Sequence, residues 1–239
     1  MRQPIKEKIH KIAHDESYFT NEALKRNNIV LLLSIVFIAL IFPLFREGFV
    51  RGWLFDIMIS AIIISGVTSL EFRKEKFIRL SYFAILTFSL VWVNHFIHNE
   101  LTKLISFAVS IMFFIYITYS MVKFIAQSRS VDEIILLNAI NSYLLIGIVG
   151  ALLFISVEVG YVYFANAEQV LNFNTIANPS FQDYVYFSFV TLTTLGYGDI
   201  TPVIPLAKSL TVALSLTGQL YLTILVAMLV GKYASQRNN

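Results

Sequence analysis

The segment that decides the fold runs from Phe187 to Asp199 and reads FSFVTLTTLGYGD. Gly196 and Gly198 stand at alternate positions, and glycine adopts positive φ without a steric penalty from Cβ. The backbone can therefore turn successive carbonyl oxygens to the same side. We expect a row of oxygens, extended at its inner end by the Thr194 hydroxyl, that could replace the hydration shell of a cation. The alternative is a tight Gly-Tyr-Gly turn that happens to follow a hydrophobic segment.

The composition around this segment is that of an integral membrane protein. Of 239 residues, 57% are hydrophobic and 14% charged, and the mean hydropathy is +0.71. One soluble core could not hide so much apolar surface.

The chain has no cysteine, which excludes disulfides and thiolate metal sites. Residues 1–28 lack the apolar run of a signal peptide. The net charge of +3 follows the membrane pattern, so no nucleic acid partner is expected.

Six stretches are long enough to cross a membrane. A bilayer core of about 30 Å requires on the order of 20 apolar residues per helix. The predicted spans cover residues 29–45, 53–70, 77–96, 101–125, 134–164 and 203–232. A seventh stretch, 181–193, is too short to cross and ends at the glycine-rich segment, so it predicts a re-entrant pore helix. The predicted fold class is an all-α membrane protein with six transmembrane helices plus this re-entrant helix.

The charged residues predict the orientation. With both termini inside, all but four of the 18 Lys and Arg residues lie on the inner side, as the positive-inside rule requires. We expect a multi-pass protein of the plasma membrane, with cytoplasmic termini and the glycine-rich segment near the outer face. The four outer bases are Arg46, Arg51, Lys103 and Lys208; the outer acids, which would attract cations, are Glu47, Asp56, Glu100, Glu158, Glu168, Asp183 and Asp199. Most of these acids are interpreted as loop charges, but Asp183 and Asp199 flank the pore helix and the segment.

From about residue 130 to 232, less than half of the chain, the sequence resembles the pore module of the tetrameric potassium channel superfamily. The resemblance is strongest from Phe187 to Asp199, the counterpart of that family's selectivity filter. It implies passive, K+-selective conduction by a homotetramer, with four subunits around one pore, because one filter per chain cannot surround an ion. It implies membrane lipid as surroundings, no cofactor beyond the permeant K+, and no enzymatic chemistry. The implied filter comprises Thr194, Leu195, Gly196, Tyr197 and Gly198, with K+ at the first four.

The surroundings of the filter depart from the family pattern at two positions. Leu195 stands where valine is commonest, and Val190 stands where some relatives carry an acid that shares a proton with the filter aspartate. The resemblance implies that Asp199 instead accepts a hydrogen bond from Tyr186, which replaces a tryptophan of the relatives. Two threonines behind the filter, Thr191 and Thr193, are expected to satisfy backbone groups there, and Tyr197 is expected to pack outward against the pore helices.

The last helix contains candidate gating residues. Gly218 resembles the family's gating hinge, where the absence of Cβ allows the inner helix to bend. Helical spacing from this glycine predicts four residues that face the permeation path: Gln219, Leu222, Val226 and Val230. The last three could form an apolar constriction that closes by dewetting. The alternative is that they pack against other helices or face lipid.

The first four helices, residues 29–126, form a predicted peripheral domain. The fourth has no basic residue between Lys103 and Lys123, and the second and third lack a mid-membrane acid, so a charge-ladder voltage sensor is not expected. A degenerate sensor, a lipid- or ligand-responsive module and simple packing remain open. A polar cluster at the outer end of the third helix could sense protons or bind a metal, or have no such role. Its members are Asn94, His95, His98 and Glu100.

The remaining boundaries follow from local signals. Residues 1–28 form a cytoplasmic segment, and isoleucines at helical spacing favour an interfacial helix there over a solvated terminus. Residues 127–133 form a linker, whose Ser130-Val131-Asp132-Glu133 reads as a capping box. It starts an amphipathic linker helix, the cytoplasmic end of the fifth helix, or both at once. The pore domain covers 134–232, where Gly147 and Gly150 are expected to let the fifth helix approach the sixth. Residues 233–239 form a short tail, and no cytoplasmic ligand-binding domain is expected after it.

Two other functions remain possible. A weakly selective cation pore would follow if Leu195 and the altered bracing loosen the filter. The membrane subunit of a potassium uptake transporter is a further alternative, although such subunits usually carry four filter repeats in one longer chain.

Overall fold

The computed structural model describes residues 19–44, 49–70, 74–97, 99–128, 130–165, 169–174 and 179–237. These residues form seven helices and one two-stranded ladder, in the order α1 (Asn21–Val36), α2 (Phe49–Thr68), α3 (Lys74–Phe96), α4 (Glu100–Gln127), α5 (Glu133–Ala165), β1 (Leu171–Asn172), α6 (Phe181–Leu192), β2 (Thr201–Pro202) and α7 (Pro205–Arg237). Most of the interfacial helix predicted over 1–28 lies outside the described residues, as do Glu47, His98 and Glu168.

The prediction of an all-α multi-pass membrane protein is confirmed. Within the described residues, five helical stretches are long and apolar enough to cross a bilayer, and they correspond to α1, α3, α4, α5 and α7. The apolar part of α2, Gly52–Thr68, is shorter, so a sixth span stays a prediction. Within the described residues, the β structure is confined to Leu171–Asn172, which pairs antiparallel with Thr201–Pro202.

The C-terminal end of α1 changes its helical pitch at a proline. After Val36 the helix continues as a π turn over Phe37–Ile41 and a 3₁₀ turn over Phe42–Leu44. Pro43 has no N–H to donate and its ring cannot tolerate a regular α-helical carbonyl four residues earlier. The backbone therefore shifts to wider bonding just before it, and the N–H of Phe42 donates to the carbonyl of Phe37.

Helices α1 and α4 pack against α5. The most extensive helix contact joins α4 to α5. Its core side chains are fully buried, including Phe113 and Ile117 of α4 and Leu145 and Ile148 of α5. Lipid tails are as apolar as these side chains, so close packing rather than removal from water holds the helices together.

The segment between α4 and α5 is not a separate linker helix. α4 ends at Gln127 and α5 begins at Glu133. The side chain of Asp132 caps α5, because its Oδ1 accepts a hydrogen bond from the N–H of Ile135 at 2.9 Å. The prediction of Ser130 as the capping residue is therefore wrong by two positions. The stretch that begins at Glu133 is continuous with the fifth helix.

Gly147 and Gly150 allow α5 to lie close to both α6 and α7. A Cβ on Gly147 would lie 2.6 Å from the ring of Phe189, and one on Gly150 would lie 2.3 Å from the Ser188 hydroxyl and 2.8 Å from Leu214 of α7. The Ser188 hydroxyl also donates to the Gly147 carbonyl at 2.6 Å. The expectation of an approach only between the fifth and sixth helices was incomplete, because α6 lies against the same glycines.

Asp56 is not an outer loop charge, as the sequence analysis had assumed. It lies on α2, is 8% exposed, and its Oδ2 is 2.5 Å from Nδ1 of His95 on α3. The ring of Trp53 packs on His95 at 4.5 Å between centroids. The second helix thus carries an acid that pairs with a histidine of the third helix. Glu158 also belongs to a helix, α5, where its Oε2 accepts from the N–H of Val170 at 3.1 Å.

A buried polar junction joins α1, α2 and α5. The amide of Asn28, 0% exposed, donates to the carbonyl of Ser69 at 2.7 Å and to that of Leu24 at 3.0 Å. Asn141 of α5 donates to the carbonyl and to the side-chain oxygen of Asn28 at 3.0 and 3.1 Å. The amide of Asn28 therefore pairs the carbonyl of Ser69, which lies just beyond the end of α2, and the amide of Asn141 ties α5 to α1 inside an apolar interior.

We expect Asn28→Ala to lower stability by about 2 to 4 kcal/mol, because it removes three buried hydrogen bonds and leaves partners unsatisfied. The measurement is thermal unfolding of the purified protein in detergent. Asn27→Ala is the matched control, since Asn27 makes one half-buried bond, to Thr68 at 3.0 Å, and should lose about 1 kcal/mol. Equal melting temperatures for the two variants would contradict the junction's role.

Candidate functional site

A short helix, α6, leads into the glycine-rich segment. Its first turn is closed by a capping box, in which the N–H of Ser180 donates to Oδ2 of Asp183 at 2.7 Å. Twelve residues give a length of about 18 Å, which is too short to cross a bilayer. The helix ends at Leu192, so the negative end of its dipole lies where the segment begins.

The backbone of the segment alternates in handedness. φ is positive at Thr194 (60°), Gly196 (57°) and Gly198 (79°), and the residues between them are not in this region. Alternation of left-handed and ordinary conformations turns successive carbonyls to one side. The glycines were expected to behave in this way, but Thr194 was not. A β-branched residue with positive φ is strained by about 1 to 3 kcal/mol, which is typical of functional sites.

The N–H groups at the inner end of the segment point back to α6. The N–H of Leu195 donates to the carbonyl of Val190 at 2.9 Å, and that of Gly196 donates to the same oxygen at 3.3 Å. The N–H of Thr194 donates to the carbonyl of Thr191 at 2.9 Å. These bonds satisfy the last carbonyls of the helix. They also leave the carbonyls of the segment free to face away from the helix.

The two threonines before the segment do not act alike. The hydroxyl of Thr193 donates to the carbonyl of Phe189 at 2.7 Å, inside the pore helix rather than to the segment. Thr191 is buried behind the segment, 8% exposed, and supplies its carbonyl as an acceptor. Thr191 therefore satisfies a backbone group of the segment through its main-chain oxygen. Thr193 instead bonds back to the helix that precedes it.

Asp199 closes the outer end of the segment. The hydroxyl of Tyr186 donates to its Oδ2 at 2.6 Å, which is the contact expected from the sequence. This hydrogen bond lowers the pKa of the Asp199 carboxyl below its ordinary value. Asn174, which the sequence analysis missed, donates from its side-chain amide to the carbonyl of Asp199 at 2.7 Å. Its φ of 49° could not be read from the sequence, although asparagine tolerates that region.

We expect Tyr186→Phe to raise the pKa of Asp199, because the hydroxyl that favours the charged carboxylate is lost. A lowered pKa keeps the carboxylate charged until the pH falls through that lowered value. In the variant, external acid should therefore reduce the current at a higher pH than in the wild type. The measurement is current against external pH, with Tyr233→Phe, on α7 far from the segment, as the control. An unchanged midpoint would show that the hydroxyl does not act on this carboxylate.

The inner helix touches the start of the segment at two adjacent residues. A Cβ on Gly218 would lie 2.1 Å from the carbonyl oxygen of Leu192, so glycine is required for this approach. The side-chain Nε2 of Gln219 donates to the hydroxyl of Thr194 at 2.9 Å. Gly218, predicted as a hinge, thus has a packing role that spacing alone did not reveal.

One side of α7 packs against other helices, and the other predicted pore-lining residues lie on an exposed side. The packed side carries Leu225, Met228 and Leu229, which contact the C-terminal end of α4 and the N-terminal end of α5. By contrast, Leu222, Val226 and Val230 are 39%, 56% and 62% exposed. A second exposed strip, with Leu216, Leu220 and Ile224, lies on the other side of the packed face.

The segment itself is open in a single chain. Residues 193–199 are all exposed, and Leu195 and Tyr197 remain 55% and 67% exposed. Large apolar side chains at the end of a buried helix indicate a surface that another molecule covers.

Residues 143–234 match a protein-family model described as "Ion channel". Over 61 residues the chain is 43% identical to "Two pore potassium channel c" of Oryza sativa subsp. japonica, and over 59 residues it is 42% identical to "Two-pore potassium channel 4" of Arabidopsis thaliana. Each match covers 25% of this chain, but only 13% and 21% of the relatives' own length. No solved structure matches the chain significantly.

The family match spans most of α5 and the whole of α6, the segment and nearly all of α7. It confirms the resemblance of this part of the chain to the potassium channel superfamily, and the matched family is one of ion channels, not of enzymes. The matched region is less than half of the chain, and α1 to α4 lie outside it.

Proposed function

We propose that four copies of this chain form a channel that conducts K+ passively and selectively across the plasma membrane. The observation that carries the proposal is the alternating backbone from Thr194 to Gly198, whose N–H groups at the inner end are bonded to the pore helix. Rows of carbonyl oxygens from four chains would replace the hydration shell of K+. The oxygens are those of Thr194, Leu195, Gly196 and Tyr197, with the Thr194 hydroxyl at the inner end.

Four-fold assembly follows from one filter segment per chain. Cyclic symmetry closes such an assembly around a single axis. In the tetramer, the exposed rings of Tyr197 would pack outward against neighbouring pore helices, and Leu195 would be covered as well. The negative ends of the four α6 dipoles would converge on the ion path and stabilise a dehydrated cation.

The contact of Gln219 with Thr194 supports the assignment of the pore-facing strip. Because Gln219 reaches the inner end of the filter, the strip that continues through Leu222, Val226 and Val230 would line the path below it. These apolar side chains could close the pore by dewetting. The second exposed strip of α7 would then face lipid or a neighbouring chain.

The orientation that we propose has both termini in the cytoplasm and the filter near the outer face. The bias of basic residues supports it. Of the outer acids, Asp199 sits directly at the filter, where a charged carboxylate would raise the local concentration of cations.

The experiment is K+ flux into liposomes that contain the purified protein, together with native mass spectrometry of the detergent-solubilised assembly. We expect K+ and Rb+ uptake without an energy source, little Na+ uptake, and a mass of four chains of 27.2 kDa each. A stable dimer, or uptake that requires ATP or an ion gradient, would contradict the proposal.

A further inference from the structure

We propose that Gln219 is a positioning residue for the innermost ion site, where it fixes the hydroxyl of Thr194 and thereby determines how tightly that site binds a cation. This inference rests on the proposed function, because it concerns an ion site that exists only in the assembled pore. It goes beyond the assignment of Gln219 as a pore-lining residue by giving its side chain a stated contact and a measurable effect.

The contact depends on two neighbouring residues of α7. Gly218 has no Cβ, which lets the helix backbone approach the carbonyl of Leu192. The next residue is then close enough for its Nε2 to reach Oγ1 of Thr194 at 2.9 Å. Gly218 therefore provides the close approach, and Gln219 provides the hydrogen-bond donor. Both act where the pore helix, the filter and the inner helix meet.

The chemistry of the hydroxyl explains why this donor matters. A threonine hydroxyl has one hydrogen to donate and two lone pairs that accept. With one lone pair held by the amide of Gln219, the hydroxyl hydrogen cannot point at Gln219, and rotation of the hydroxyl is restricted. The second lone pair is then free for the ion. Four such contacts around the axis would pre-organise the innermost ring of oxygens.

The backbone of Thr194 adds a reason for the anchor. Its φ of 60° is strained for a β-branched residue, and such conformations persist where the surroundings hold them. The bond between its N–H and the carbonyl of Thr191 holds the main chain, and Gln219 holds the side chain. Without Gln219, the hydroxyl of Thr194 could rotate and present its hydrogen to the ion.

Block by internal Ba2+ is a suitable probe of this site. Ba2+ is close to K+ in size, so it fits the same oxygen cage, but its double charge makes it bind more tightly and leave more slowly. A blocker applied from the cytoplasmic side meets the innermost ring first. Its dissociation constant therefore reports the quality of the Thr194 ring rather than that of the whole filter.

The experiment compares wild type, Gln219→Met and Thr217→Val in planar bilayers, with internal Ba2+ titrated against the K+ current. Methionine keeps the length of glutamine but has no N–H donor. We expect Gln219→Met to raise the dissociation constant of Ba2+ by about tenfold, because the variant removes one hydrogen bond in each of the four chains, and each of these bonds orients an ion ligand rather than contacting the ion. Selectivity for K+ over Na+ should remain, because the carbonyl sites above are untouched. The hydroxyl of Thr217 donates to the carbonyl of Ala213 on its own helix, at 2.7 Å, so Thr217→Val should behave as wild type.

The partner residue provides the decisive comparison. In a Thr194→Ala background the hydroxyl is absent, so Gln219→Met should have no further effect on Ba2+ binding. If a variant does not conduct, calorimetric titration of Ba2+ onto the purified tetramer gives the same quantity. Melting temperature and native mass should not change in Gln219→Met, which separates positioning from a structural role.

The outcomes separate the two proposals. An unchanged Ba2+ affinity in Gln219→Met overturns the inference and leaves the channel function intact, as does a tenfold effect that persists in the Thr194→Ala background. A wild-type protein with neither K+ current nor block by Ba2+ overturns the proposed function itself, and the inference with it.

Discussion

Gly196→Ala is expected to abolish K+-selective flux while the helices stay folded. The φ of Gly196 is +57°, and a Cβ built there meets nothing within 4 Å. The cost of alanine is therefore conformational, about 1 to 2 kcal/mol in each chain. The strained peptide can escape by returning to negative φ, which would rotate a carbonyl away from the ion path. The measurement is K+ and Na+ flux in liposomes, with melting temperature recorded in parallel.

Gly231→Ala is the matched control for this variant. Gly231 lies on α7, where a Cβ also meets nothing within 4 Å, but its backbone does not have positive φ. Alanine favours a helix more than glycine does, so the control should be neutral or slightly more stable. Normal K+ selectivity in Gly196→Ala would contradict the filter assignment.

Gly218→Ala is expected to disrupt the packing between the inner helix and the pore helix. Its Cβ would lie 2.1 Å from the main-chain oxygen of Leu192 and 2.9 Å from the side chain of the same residue. A backbone atom cannot rotate away, so α7 must shift as a body. Overpacking typically costs about 1 to 3 kcal/mol, and this contact lies at the severe end. We expect a lower melting temperature, a reduced fraction of assembled protein and loss of flux.

The melting temperature separates packing from bending at Gly218. If the residue acts only as a hinge, alanine would leave melting and assembly unchanged and alter only the fraction of time that the pore is open. Gly231→Ala, on the same helix, again reports the effect of an added methyl group without a neighbour. Full stability of Gly218→Ala would contradict the close contact.

The sequence predicted the helices well because their signals are local. Apolar length predicted the five stretches that are long enough to cross a bilayer, and the observed α6 ends one residue before the predicted 181–193. The last helix extends to Arg237 rather than to residue 232, because polar residues near its end continue the helical backbone without being apolar. The short ladder between Leu171–Asn172 and Thr201–Pro202 was missed, since two residues per strand carry no periodic signal.

The parts of the site that were missed depend on contacts between distant residues. The bond from Asn174 to Asp199 and the pairing of Asp56 with His95 join residues 25 and 39 positions apart. A single sequence gives no indication of such neighbours. The positive φ of Thr194 was missed for a different reason: threonine disfavours it, so only the surrounding hydrogen bonds select it.

The most direct test of the central claim is the reversal potential of the purified protein in a planar bilayer, with K+ on one side and Na+ on the other. We predict a value near the K+ equilibrium potential, because intact rings of carbonyl oxygens accept K+ in place of water and accept Na+ poorly. A clear current that reverses near zero would contradict strict selectivity, and it would mean that Leu195 or the altered bracing of Asp199 has loosened the filter into a weakly selective cation pore.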